Sequence, residues 1–327
     1  MRLASRRRFL QIIAATSVSG LAMVRAHASP GNSIETWEGE ALGADASISL
    51  AGLEPRLAQR LLRTCRGEIA RLEGIFSLYD ETSALLRLNA HGSLTDPPAE
   101  LTELLDTCRQ IFELSNGAFD PTIQPLWRLY ADTHGDPRSP RAPDAAAVAS
   151  RLSLIGFGSV AWNRRRVTFG RSGMAMTLNG IAQGTITDRI TAVLRNGGAA
   201  HALVNVGEYA GLGDHPEGRP WQVGIQDPRK ADGIVDLVDL VDQCVATSGA
   251  YGGRFGDSGL SHIIDPRTGR SPERYLSVSV RHASATLADG LSTAFSFLSE
   301  SEITAVSRSV GGVTAILVRA DGTHARI

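Results

Sequence analysis

Lysine is almost missing from this 327-residue chain. Lys230, in the turn Asp227-Pro228-Arg229-Lys230, is the only one, and the other cations are arginines. That speaks against Schiff-base or lysine-nucleophile chemistry. Cysteine is scarce as well. Cys65, Cys108 and Cys244 fit no C-x-x-C spacing, so neither a zinc cage nor a dithiol redox motif is written here. An odd count leaves at least one thiol free, and Cys65 and Cys108 fall in helix-like apolar patterns that read as buried thiols. Long apolar runs are absent too: the one ending near Val24 is too short and too polar to span a membrane. No G-x-S-x-G elbow is present, which removes a serine-hydrolase reading of Ser248, His262 and Asp265.

What the chain does carry begins with a leader. Ser5-Arg6-Arg7-Arg8-Phe9-Leu10-Gln11 holds a twin arginine, a mild apolar run follows, and Ala26-His27-Ala28 offers small residues for cleavage. This pattern predicts a twin-arginine signal over residues 1–28, export to the periplasm, and one domain over residues 29–327. Removing residues 1–28 takes five of the 33 basic residues and no acids. That leaves 28 against 34 acidic residues, a formal charge of −6, which argues against a nucleic-acid surface.

Periodicity predicts a strand over Trp37–Leu50, a long helix over Pro55–Phe76, a short helix over Ser83–Asn89 and another over Pro97–Leu114. Gly117–Trp127 reads as a rigid loop and Ala131–Pro143 as an exposed one. A helix over Ala145–Leu154 precedes strands at Val160–Trp162, Arg166–Phe169 and Ala175–Leu178. Gly156-Phe157-Gly158-Ser159-Val160-Ala161 matches G-x-G-x-x-A, but it follows a helix and precedes a strand, the reverse of a dinucleotide fingerprint; it reads as a turn. Further strands fall at Ala202–Val206, Tyr209–Leu212, Gln222–Ile225, Val235–Leu240, Tyr275–His282 and Thr314–Val318, with helices at Leu287–Leu298 and Ile303–Ser309. The fold class is α+β, with helices and mixed strands alternating without a clean repeat.

Chemistry concentrates in a few blocks. Asn179-Gly180-Ile181-Ala182-Gln183-Gly184 leads from a strand into a helix, where backbone N–H groups can meet a phosphate, or form a tight turn with nothing bound. Asp289, Ser292 and Thr293 lie at i, i+3 and i+4, on one helix face. Together they offer the hard oxygens Mg²⁺ takes, or else a capped helix start. His262 and Asp265 can pair as acid and base, or His262 can be structural. Thr247-Ser248-Gly249 reads as a turn with no role that local sequence fixes. Tyr79 and Phe119 are aromatics beside polar loops, suited to stacking on a heterocycle or to core packing.

Taken in order, these blocks resemble the FAD:protein FMN transferase (ApbE) family. The resemblance rests on Ser77-Leu78-Tyr79, Gly117-Ala118-Phe119-Asp120-Pro121 with Pro125-Leu126, and Gly180-Ile181-Ala182-Gln183-Gly184 with Asp188. It continues through Val204-Asn205-Val206-Gly207-Glu208, Thr247-Ser248-Gly249-x-Tyr251, His262-Ile263-Ile264-Asp265-Pro266-x-Thr268-Gly269 and Ala288-Asp289 with Thr293. It implies an ApbE-like flavin transferase fold of mixed sheets flanked by helices. It also implies that Mg²⁺ and FAD bind, FAD as substrate, and that FMN passes to a Thr or Ser hydroxyl of an acceptor protein with release of AMP. By the same resemblance flavin contacts fall on Leu42, Tyr79, Ala118, Phe119, Asp120, Thr177, Gln183 and Ile264. Metal ligands fall on the Gly180 carbonyl, Asp289 and Thr293, with Ser292 beside them, and His262 serves proton transfer. The acceptor is expected to be a membrane-bound electron-transfer protein.

Some positions depart from the family pattern. Leu42-Gly43-Ala44 stands where Met-Gly-Thr is usual, Thr177 where an acid is, Gln183 where Lys or Glu is, and Gly207-Glu208 where Gly-Gly is. Those departures keep a second expectation open: an exported FAD carrier or maturation chaperone without turnover.

Overall fold

The described residues open on a hairpin, β1 (Ile34–Ala41) against β2 (Ala44–Ala51), where the sequence predicts one strand over Trp37–Leu50. Leu42 and Gly43 both hold left-handed backbone, φ 48° and 80°, the two-residue turn whose twist suits paired strands. An apolar leucine hides that turn from sequence reading. The computed structural model describes residues 34–135, 143–230, 233–253, 255 and 260–327; the expected leader at residues 1–28 lies outside them.

Helix α1 (Pro55–Phe76) starts where the Glu54 side chain accepts the Leu57 N–H and Pro55 presets the first turn. Its buried stripe of Leu61, Cys65, Ile69, Leu72 and Phe76 follows the periodicity of the sequence. Next come α2 (Ala84–His91), β3 (Ser93–Thr95) and α3 (Ala99–Leu114). The expected loop Gly117–Trp127 is partly helical: a 3₁₀ turn at Pro121–Ile123 runs straight into α4 (Gln124–Gly135). Pro121 and Pro125 sit in first turns, where the missing N–H has no partner to lose. Helix α4 also takes the start of the loop expected over Ala131–Pro143, whose residues 136–142 are outside the described ones.

Then follow α5 (Ala145–Leu152), β4 (Val160–Asn163), β5 (Arg166–Phe169) and α6 (Ala182–Asn196). The strand expected at Ala175–Leu178 joins no ladder. Asn89 clamps it instead, donating to the Met176 carbonyl and accepting the Met176 N–H, so the side-chain amide supplies the pairing a neighbouring strand would. Strands β6 (His201–Asn205), β7 (Tyr209–Leu212), β8 (Trp221–Gln226), β9 (Ile234–Leu240), β10 (Gln243–Gly249) and β11 (Tyr275–His282) lead to helices α7 (Ala285–Phe295) and α8 (Glu300–Val310). Strands β12 (Thr314–Arg319) and β13 (His324–Arg326) close the chain. Thr247-Ser248-Gly249, expected as a turn, is the end of β10.

Eight strands form one antiparallel sheet in the order β1-β2-β6-β7-β10-β11-β12-β13. Alternation assigns its two faces. Cys244, Ala246, Val278, Val280, Ala315 and Leu317 join the helices in the main core, while Val245 and Ile316 meet Trp221, Val223, Ile225 and Val238 of the β8–β9 hairpin on the other side. Helix α7 lies on the helical face, packed between that sheet and helices α3 and α6. The α+β expectation holds. All three cysteines are buried and free, and among the described residues no helix is long and apolar enough to cross a membrane.

Candidate active site

Two helices meet backbone to backbone to make the centre of the site. Asp188 of α6 accepts from Ser284 Oγ and from the Ala285 and Thr286 N–H groups, so α6 holds the first turn of α7. One turn earlier on α6, the Gly184 N–H donates to Asp289 Oδ2 at 3.0 Å. A Cβ on Gly184 would land on the Ala285 carbonyl and on Asp289, so only glycine allows this approach.

Asp289 is therefore buried at the crossing, as are Gln183 and Ser292. The Thr293 hydroxyl sits where a Cβ on Gly180 would come within 3.0 Å, which puts Gly180 beside it. Strand β10 adds Ser248, whose Oγ is 2.7 Å from Ser292 Oγ and 3.2 Å from Thr293 Oγ1. The buried Glu208 carboxylate accepts the Thr247 N–H at 3.2 Å. The Gln183 amide packs over Gly207, whose φ of 94° and lack of a Cβ make room for it.

Burial pushes the Asp289 carboxyl up to about 7; the Gly184 N–H opposes the shift and the Asp188 charge adds to it. Glu208 is raised too, first by burial and then by the charge on Asp289. Desolvated carboxyls crowded this way shed that cost when a cation joins them. The neighbouring donors are hydroxyls and main-chain carbonyls, oxygens that suit a small hard cation such as Mg²⁺. Among the described residues no three His, Cys, Asp or Glu side chains converge on a point, so the donor set is not that of a zinc cage. The residues present fit Mg²⁺.

The other expected residues lie in different settings. His262 is half-buried with Nδ1 3.0 Å from the Gly253 carbonyl. A carbonyl only accepts, so Nδ1 carries the proton and Nε2 keeps its lone pair in the neutral ring. Burial lowers the His262 pKa, with the Gly253 carbonyl acting against the shift. Asp265 is not its partner: both Asp265 oxygens take bonds of 2.9 Å from the Arg267 guanidinium.

Ala118 and Phe119 are inside the main core, and Ile264 packs with Leu126, Tyr130 and Phe255 in a smaller cluster. Asp120 accepts from Thr122 and from the Phe157 N–H, tying its loop to the 3₁₀ turn Phe157–Ser159, where the G-x-G-x-x-A match is indeed a turn. Burial raises its carboxyl. Thr177 accepts the Asn179 N–H, and the Leu42 N–H donates to Glu73 at 2.7 Å. Tyr79 stands 55% exposed.

The structure thus brings Gly180, Gln183, Asp289, Ser292 and Thr293 together. Among the described residues no hydrogen bond links Leu42, Tyr79, Phe119, Ile264 or His262 to them. Gly184, Glu208 and Ser248 carry roles that sequence reading did not give them. Continuing the alternation Cys244, Ala246 to Ser248 would have turned Ser248 toward the helices; nothing local distinguishes Glu208 from a solvated acid at a strand end.

Comparison with known proteins gives this architecture relatives. The chain is 26% identical over 315 residues to the FAD:protein FMN transferase of Klebsiella pneumoniae, covering 92% of this chain and 89% of that one. Its fold superposes on the ApbE protein of Thermotoga maritima with a TM-score of 0.80 at 28% identity, covering 90% of this chain and 97% of that one. It also matches the apo flavinyl transferase ApbE of Pseudomonas stutzeri with a TM-score of 0.77 at 26% identity, covering 91% and 97%. The family model described as ApbE matches residues 42–317, most of the chain, and the chain belongs to the ApbE family.

Proposed function

We propose that this chain is an exported, Mg²⁺-dependent FAD:protein FMN transferase. The observation that carries the reading is the buried Asp289 carboxyl at the α6–α7 crossing, raised to about 7, with the Thr293 hydroxyl and the Gly180 main chain beside it. Asp289, Thr293 and the Gly180 carbonyl, with Ser292 beside them, would hold Mg²⁺. Bound there, the ion would neutralise charge on the FAD pyrophosphate. At the start of α6 the Ile181 and Ala182 N–H groups are taken by the Leu178 carbonyl and the Gly184 N–H by Asp289, so neutralising the phosphate charge there would fall to the ion. Flavin contacts are assigned to Leu42, Tyr79, Ala118, Phe119, Asp120, Thr177, Gln183 and Ile264, several through main chain because their side chains are in the core.

In the reaction a Thr or Ser hydroxyl oxygen of the acceptor forms a bond to the FMN phosphorus, and the pyrophosphate P–O bond to AMP breaks. The hydroxyl proton goes to His262 Nε2, and AMP leaves. Attack on a pyrophosphate depends on in-line positioning, which a held flavin supplies. Residues 1–28 act as the twin-arginine leader, residues 29–327 as the transferase domain, and the acceptor is a membrane-bound electron-transfer protein met in the periplasm. A second reading, an FAD carrier without turnover, draws on Gln183, a neutral amide packed on Gly207 where the family pattern has a charged residue.

The test mixes purified protein, FAD, Mg²⁺ and a Thr-containing acceptor domain, then looks for a fluorescent acceptor band with stoichiometric AMP. Tight FAD binding with neither product, across several acceptors, decides for the carrier.

A further inference from the structure

The hydroxyls of Ser248, Ser292 and Thr293 form a chain whose proton order follows from one fixed point. Ser292 Oγ lies 2.8 Å from the Asp289 main-chain carbonyl, and a carbonyl only accepts. The single Ser292 proton is therefore spent there. The 2.7 Å contact between Ser248 and Ser292 must then use the Ser248 proton. That leaves the Thr293 proton for the 3.2 Å contact between Thr293 and Ser248. With its hydrogen turned toward β10, Thr293 Oγ1 keeps its lone pairs for other partners, and Gly180 lies beside it.

We propose that Ser248 is a positioning residue for the cation site: it accepts the Thr293 proton, so that the Thr293 oxygen meets the cation lone pair first. The inference rests on the Mg²⁺ reading given above. Without Ser248 the Thr293 hydroxyl is free to rotate, and part of its population points a hydrogen at the cation, which repels it. Ser292 becomes the anchor that draws the Ser248 proton toward the α7 backbone.

Ser248 is itself held firmly. Strand β10 pairs with β7 over Gln243–Val245 and with β11 on through Ser248, which lies opposite Val278. The preceding Thr247 N–H is tied to Glu208 and the Thr247 hydroxyl lies 2.8 Å from Ser279 Oγ. Glu208 thereby ties the turn after β6 to β10.

The experiment measures Mn²⁺ affinity by electron paramagnetic resonance with FAD present, Mn²⁺ standing in for Mg²⁺. It compares the unaltered protein, Ser248→Ala, Ser248→Thr and Thr293→Ala. Removing a hydrogen-bond partner of a ligand typically weakens metal binding about 10-fold or more. Ser248→Ala should show a loss of about that size, with metal-free FAD binding and melting temperature unchanged, and Ser248→Thr should restore affinity by returning the hydroxyl. Thr293→Ala should lose at least as much as Ser248→Ala. If Thr293→Ala loses affinity and Ser248→Ala does not, the positioning role fails while the cation site stands. Unaltered affinity in both refutes Thr293 as a ligand and this inference with it. Equal losses in Ser248→Ala and Ser248→Thr, accompanied by weaker metal-free FAD binding, mean that the strand has been disturbed and that the hydroxyl has no specific role.

Discussion

Asp289 shows how one residue can be costly to the fold and needed by the site. Its carboxyl is buried and raised to about 7, with one N–H, from Gly184, as its side-chain hydrogen bond. Asp289→Asn keeps an oxygen for that N–H and removes the charge. Melting temperature should hold or rise, because a desolvated charge is gone. AMP release in single turnover should fall by about 10²–10³-fold, in the range seen when one electrostatic contact to a reacting group is lost. A variant that turns over normally refutes the metal assignment. His262 gives a pH signature of the opposite kind. Its folded pKa lies below the ordinary 6.5 because burial disfavours the imidazolium. The ring is therefore neutral at pH 7, and transfer should decline as pH falls through a value under 6.5. By linkage the same shift makes His262 a destabilising influence in acid: the unfolded chain takes up its proton first, and the neutral ring's contribution is lost as pH drops from the unfolded pKa through the folded one. A pH–rate profile of single-turnover transfer, taken with Mg²⁺ saturating so that Asp289 stays ionised, should show an acid limb that disappears in His262→Ala. A limb that persists unchanged assigns the base elsewhere.

Helices and their crossings carry the site, and here the legibility of the sequence divides. Helix α1 was readable because its buried stripe is long and regular and Glu54-Pro55 marks its start. Strand β10 was not. Thr247-Ser248-Gly249 has the composition of a turn, and only pairing with β11, some thirty residues on, makes it a strand. The strand expected at Ala175–Leu178 failed for the converse reason, its backbone partner being the side chain of Asn89. Gly184 is the residue on which the α6–α7 crossing turns. A methyl group there meets the Ala285 carbonyl, a backbone atom that cannot rotate away, so the helices must part. Gly184→Ala should destabilise the protein by roughly 1–3 kcal/mol, the usual cost of overpacking, and weaken Mn²⁺ binding at the same time. Urea denaturation and the Mn²⁺ titration report the two effects separately. Alanine raises helix propensity, so a gain in stability with full metal affinity would show the contact to be slack.

At the scale of the whole molecule, the sheet brings together groups from distant parts of the chain. Gly180 lies in the turn before α6 and Gln183 in its first turn, Glu208 follows β6, Ser248 is the last residue but one of β10, and Asp289 and Thr293 sit on α7. The class, most helices and the α7 oxygen face were legible because each is local. The convergence of β10, the Glu208 turn and α7 was not, since it exists only once the eight strands are ordered. Convergence implies mutual dependence between the two ligands. In the proposed arrangement FAD without a cation would leave its pyrophosphate charge near Asp289, and a cation without FAD would have few ligands beyond Asp289 and Thr293. Each should therefore bind weakly alone and stabilise strongly with the other, by the linkage that ties ligand occupancy to folding. A pair held at about 100 times its dissociation constant adds about 2.7 kcal/mol to stability. In a chain of this size that should raise the melting temperature by several degrees. Calorimetric scans with FAD, with Mg²⁺ and with both should show small shifts for either alone and a shift larger than their sum for the pair. In Asp289→Asn, with its charge removed, FAD alone should bind no worse than in the unaltered protein, and the excess shift on adding Mg²⁺ should vanish. Additive shifts in the unaltered protein would separate the flavin from the cation and place the two ligands at independent sites.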